Sequence, residues 1–69
     1  MPIVIAPLNR KLKIVRIAAD EKIKKHLENL GFVVGGSVKI VNRLGDNVIV
    51  NVKEARVAIS REMALKIMI

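Results

Sequence analysis

"DEKIKKHLENLGFVVGGSVKIV", residues 20–41, changes its apolar period half-way along. In the first half Ile23, Leu27 and Leu30 fall at i, i+4 and i+7, a single stripe along a helix. Asp20 stands just before the stripe, and its carboxylate can accept from the free backbone amides of a first turn. Glu21 sits near the positive end of the helix dipole. Gly31 follows Leu30 where a left-handed residue ends a helix, and Phe32 can then fold back on Leu27, the apolar contact of a Schellman ending. In the second half Val38 and Ile40 alternate with Lys39, the period of a strand. One helix over 20–31 therefore runs through a glycine turn into a strand.

The same stretch holds three of the four glycines, Gly31, Gly35 and Gly36, and Ser37 follows them. The spacing approaches the phosphate-binding pattern G-x-x-x-x-G-K-[ST], but the lysine is missing. The order is also reversed. A phosphate loop leaves a strand and enters a helix, so that the helix N-terminus faces the anion. Here Gly31 leaves a helix and Gly36 enters a strand. The glycines are read as turns, and nucleotide binding is set aside.

Outward from this centre the chain reads as short strands. "RKLKIVRIA" (10–18) begins with Leu12 and Ile14 opposite Lys11 and Lys13, then places Val15 and Ile17 on the lysine side. A bent strand, or one covered on both faces, is expected. "SVKIVNRL" (37–44) puts Val38, Ile40, Asn42 and Leu44 on one face and Lys39, Val41 and Arg43 on the other. "GDN" (45–47) has turn chemistry, and "VIVNVK" (48–53) aligns Val48, Val50 and Val52, which completes a hairpin. "RVAIS" (56–60) is a further strand, Ser60 can cap a brief helical turn, and "IMI" (67–69) closes the chain as a strand. About five short strands with one helix after the first suggest a mainly β protein, a small barrel that leaves few open edges. A parallel sheet would need more crossover helices than the sequence has.

At 69 residues the chain is read as one domain, residues 1–69. A core this small rarely supplies more than about 3–5 kcal/mol of net stability. There is no cysteine, which excludes disulfides, thiol catalysis and cysteine-based zinc sites. No apolar run approaches the roughly 20 residues of a membrane-spanning helix. "MPIVIAPL" lacks a basic leader and is too short for a signal peptide, so a cytoplasmic location is expected. The net charge of +7 calls for an acidic partner, an anionic membrane surface or nucleic acid. The charge is dispersed, however: Arg10, Lys11, Lys13 and Arg16 form one group, Lys22, Lys24 and Lys25 another, and no run makes a basic arm.

No catalytic constellation is visible, and no enzymatic activity is expected. Two serines, one histidine, no cysteine and no tyrosine leave little for nucleophilic or acid–base work. His26 is a weak candidate metal ligand, since a transition-metal site usually needs three or four ligands and only carboxylates such as Glu28 or Glu62 could join it. No resident cofactor is therefore expected, beyond weak transition-metal binding. Arg43, Arg56 and Arg61 are candidates for a partner interface, or for an arginine supplied in trans to a GTPase. Readers of single-stranded nucleic acid stack bases on aromatic side chains, and the one aromatic, Phe32, is already placed against the helix. A nucleic-acid partner is therefore disfavoured.

"HLENLGFVVGGSVKIV" (26–41) resembles the L-x-x-L-G-[large apolar]-x-x-G-x-x-V segment of the ferrous iron transport protein A family, FeoA. The resemblance continues in "VRI" (15–17) and in the small and apolar alternation of "VAISREMALKIMI" (57–69), so it spans nearly the whole chain. The sequence departs from the family at "PLNRK" (7–11), where many members carry a glycine. The resemblance implies an SH3-like barrel acting as a cytoplasmic, non-enzymatic accessory protein of ferrous iron uptake. It implies as partner the large GTPase-containing membrane transporter, ferrous iron transport protein B. Two other readings stand beside it: a small basic nucleic-acid-binding barrel, and an isolated regulatory domain of a metal-dependent repressor. Small barrels with open edges often self-associate, so a homo-oligomer is a further expectation.

Overall fold

The bend expected in residues 10–18 decides the architecture. In the computed structural model, which describes residues 1–69, this segment forms two strands, β1 (Lys11–Lys13) and β2 (Arg16–Ile17). β1 pairs antiparallel with β3 (Ser37–Leu44), while β2 pairs with β6 (Ile67–Met68). Ile14 carries the chain between the two sheets. Its N–H donates to the Gly36 carbonyl (2.9 Å), and its carbonyl accepts from Gly35 (2.7 Å). The next amide, Val15, already donates to Met68 (2.9 Å). The bend sends Ile14 and Ile17 into the core and leaves Val15 outside. One covalent segment thus joins the four-stranded sheet β1-β3-β4-β5 to the two-stranded sheet β2-β6. β4 is Asn47–Val52 and β5 is Ala55–Ser60.

The helix α1 (Glu21–Leu30) forms as its sequence dictates. The Asp20 carboxylate accepts from the Ile23 amide at 2.9 Å. Gly31 takes φ +109°, Phe32 donates to the Leu27 carbonyl (2.9 Å) and Gly31 to that of Glu28 (3.0 Å), the two bonds of a Schellman ending. Leu27 and Phe32 are both fully buried. Most of the remaining core comes from the inner face of the sheet, including Val38, Ile40, Val50 and Ile59, with Ile67 from β6 and Ala64 from the short helix before it. A single-turn helix α2 (Arg61–Ala64), capped by Ser60, links β5 to β6.

Two features depart from the expected pattern. A short 3-10 turn, Ile3–Ile5, closes one end of the barrel and buries Ile3 and Ala6. Met1 and Pro2 then run beside β6, where Ile69 donates to the Met1 carbonyl (2.8 Å). The second departure is a bulge in β3. Ile40 faces Val50 but Asn42 faces Ile49, so Val41 is the extra residue. A bulge reverses which side chains face inward beyond it. Leu44, expected inside with Ile40, is 57% exposed, and Arg43, expected outside with Lys39, sits opposite inward-facing Val48.

Candidate interaction surface

The glycine turn has no capacity to cradle a phosphate. Val33 to Gly36 form a type II turn, with Gly35 at φ +88° in the third position and the Gly36 amide donating to the Val33 carbonyl (2.9 Å). The amides of Gly31, Gly35 and Gly36 are all spent on backbone carbonyls. Gly36 also needs the absence of a side chain, since a Cβ there would stand 3.0 Å from the Val33 carbonyl oxygen.

The bulge gives Arg43 a structural task. Nη2 donates to the carbonyls of Ala6 (2.6 Å) and Val4 (3.0 Å), and Nε also reaches Val4 (3.3 Å). The guanidinium fork therefore straps the N-terminal turn across the end of the barrel. Planar forked donors suit two neighbouring acceptors in a way a lysine cannot match. Arg61 lies nearby. It opens α2, and its amide donates to the Asp46 carbonyl (2.8 Å) in the β3–β4 turn. Both arginines line a cleft with Val4, Ile5 and Asp46, and Ile5 and Leu65 beside it are 65% and 44% exposed.

Arg56 stands elsewhere. It is paired with Asn51, four residues along β4 from the turn end, about 13 Å at ordinary strand rise. The structure thus brings two of the three candidate arginines together and separates the third. Arg56 ends a row that the pairing registers define: Lys11 on β1 opposite Lys39 on β3, Lys39 opposite Asn51 on β4, and Asn51 opposite Arg56 on β5. Lys13, two residues from Lys11, shares that outer face with Ser37. Lys11, Ser37, Lys39, Asn51, Lys53 and Glu54 line one shallow groove there. The sequence shows these cations as dispersed; only the register collects them.

His26 is exposed on α1. No group of three or more His, Cys, Asp or Glu side chains converges anywhere in the chain, so the residues present do not build a first coordination sphere for a transition metal. Asp20, Ser60 and the Asn42 side chain are engaged with backbone amides instead, the last accepting from Arg43 at 2.8 Å. Phe32 has no accessible surface, so no aromatic face is offered to a base. No helix is long and apolar enough to cross a membrane.

The model of the FeoA domain matches residues 1–69. The chain belongs to the FeoA family. A crystal structure of an iron uptake regulatory protein (FeoA) superposes with a TM-score of 0.88 at 22% identity, covering 97% of this chain and 89% of that one. The FeoA protein of Chlorobium tepidum, solved by NMR, gives a TM-score of 0.86 at 24% identity and covers 99% and 67%. FeoA of Stenotrophomonas maltophilia, a procaryotic SH3 domain protein crystallised with zinc, gives 0.84 at 26% identity and covers 99% and 87%. No curated protein matches the chain at a significant level. The barrel is therefore SH3-like, the expected five strands becoming six because the first divides at Ile14. Membership of the FeoA family makes the chain an accessory protein of ferrous iron transport.

Proposed function

We propose that the protein is a non-enzymatic, cytoplasmic partner of the GTPase-containing ferrous iron transporter, ferrous iron transport protein B, and acts by binding the transporter's cytosolic part. The observation that carries this reading is the family match over the full 69 residues. Its Stenotrophomonas relative has itself been proposed as a ferrous iron transport activating factor.

The cleft between the N-terminal turn and α2 is the surface best suited to that contact. It joins the charged Arg61 to exposed Ile5 and Leu65, a mixture of apolar anchor and cation typical of protein interfaces. Arg43 contributes by holding the floor of the cleft. Arg56 lies outside this cleft, on the outer face of the sheet. A metal role through His26 is disfavoured by the ligand count, although the Stenotrophomonas relative was crystallised with zinc.

The test is a pull-down with the soluble cytosolic domain of the transporter at two ionic strengths, without lipid. Salt-sensitive association that Arg61→Glu abolishes is expected. Absence of association at both ionic strengths would overturn the reading. Acceleration of GTP hydrolysis, lost in Arg61→Ala, would extend it to an activating role.

A further inference from the structure

We infer that the outer face of the sheet β1-β3-β4-β5 is a docking surface for an anionic lipid bilayer. Lys11, Lys13, Lys39, Lys53 and Arg56 lie on this face or at its rim, with Glu54 as the one carboxylate among them. These are five of the thirteen cations and one of the six carboxylates, so more than half of the net +7 sits on this side. No pairing demand of the fold explains the arrangement. Lys11 and Lys39 are directly opposed in an antiparallel ladder, where Cβ atoms stand about 5 Å apart and like charges repel. All but Asn51 and Val38 along the groove are exposed, so the charge is presented outward.

The chemistry of the face selects its occupant. A single sheet layer with a shallow groove offers breadth without depth, which suits a planar partner. Four of the five cations are lysines, hydrated point charges fit for a diffuse headgroup layer, where two-pronged recognition of one phosphate would favour arginine. No aromatic is exposed on which bases could stack, which weighs against single-stranded nucleic acid. An acidic bilayer meets each of these conditions. Its use for a partner of a membrane transporter would be to hold the protein at the surface where the transporter lies.

Each lysine near an acidic surface strengthens membrane binding about fivefold. Flotation with phosphatidylcholine vesicles, with and without phosphatidylglycerol, tests the inference without any transporter, so it fails or stands independently of the pull-down. Binding only to phosphatidylglycerol vesicles, weakened by salt, is expected. Lys11→Gln/Lys39→Gln should bind about 25-fold less tightly while its unfolding midpoint holds or rises, because a repulsion is removed. Lys13→Gln/Arg56→Gln, which spares the opposed pair, should lose a similar factor. Lys22→Gln/Lys25→Gln on α1, with the same net charge, should lose less than fivefold. Equal losses in all three variants, or no binding to phosphatidylglycerol, would overturn the inference. So would tighter binding of polyglutamate or an oligonucleotide, which would assign the face to a protein or nucleic acid.

Discussion

Replacing Arg43 by alanine should unfasten the N-terminal turn. The wild-type guanidinium reaches two backbone carbonyls, Ala6 at 2.6 Å and Val4 at 3.0 Å. A hydrogen bond from a charged donor is worth about 1.5–3 kcal/mol when well shielded, and less where water competes, as at this exposed side chain. The two acceptors together give an expected loss of about 2 kcal/mol, a large part of the 3–5 kcal/mol such a core supplies. With an unfolding entropy near 2.1 cal/mol/K per residue, that loss lowers the melting temperature by about 14 °C. Arg43→Lys keeps the charge but not the fork, and should recover about half. Thermal and urea unfolding measure the total, and amide exchange locates it. Ala6, whose amide bonds to Ile3 at 3.0 Å, should lose protection before Val50 in the core does. Arg56→Ala is the control, since its side chain makes no such contact. A midpoint shift below about 3 °C for Arg43→Ala, or an equal shift for Arg56→Ala, would refute the strap.

Three further outcomes follow from the backbone and the ligand count. Gly31→Ala places a side chain at φ +109°, with its Cβ 3.3 Å from Cγ2 of Val52, and should cost about 2 kcal/mol by urea unfolding; an unchanged midpoint would show that the helix end can relax without loss. The β4–β5 turn carries Lys53 and Glu54 at φ +49° and +64°, so Lys53→Asn/Glu54→Gly, the preferred pair for a type I′ turn, should stabilise by about 1 kcal/mol, and a lowered midpoint would contradict that. Calorimetry with Zn(II) or Fe(II) should show no tight stoichiometric site, and His26→Ala should titrate like the parent; a one-to-one heat lost in that variant would overturn the ligand argument.

What the sequence discloses here is local. The helix 20–31, its Asp20 cap and its Gly31–Phe32 ending each depend on residues within one or two turns, and all three form as read. The hairpin over 37–53 was legible for the same reason, through alternation and the Gly45–Asp46 turn. The bulge at Val41 was not, because no residue there announces it. That single insertion decides the role of Arg43, which alternation assigns to the solvent face. The N-terminal turn is equally illegible, since the three apolar residues before Ala6 carry no period. Two of the three candidate arginines do converge, but they do so on Val4 and Ile5 of the N-terminal turn, which lie 39 and 38 positions from Arg43 and 57 and 56 from Arg61 along the chain.

The same division separates fold from surface. The matches at 22–26% identity extend over nearly the full chain, yet what they share with it is a backbone path. In this chain that path is held by glycines at positive φ, helix caps and buried aliphatics. The lysine row is of a different kind, since it costs stability at Lys11 and Lys39 and fills no packing need. A domain with only a few kcal/mol in reserve keeps opposed charges most readily where something outside the chain neutralises them. If lipid does so, anionic vesicles should stabilise the wild type against unfolding by more than they stabilise Lys11→Gln/Lys39→Gln. Equal stabilisation of the two would mean that the row is carried for another reason.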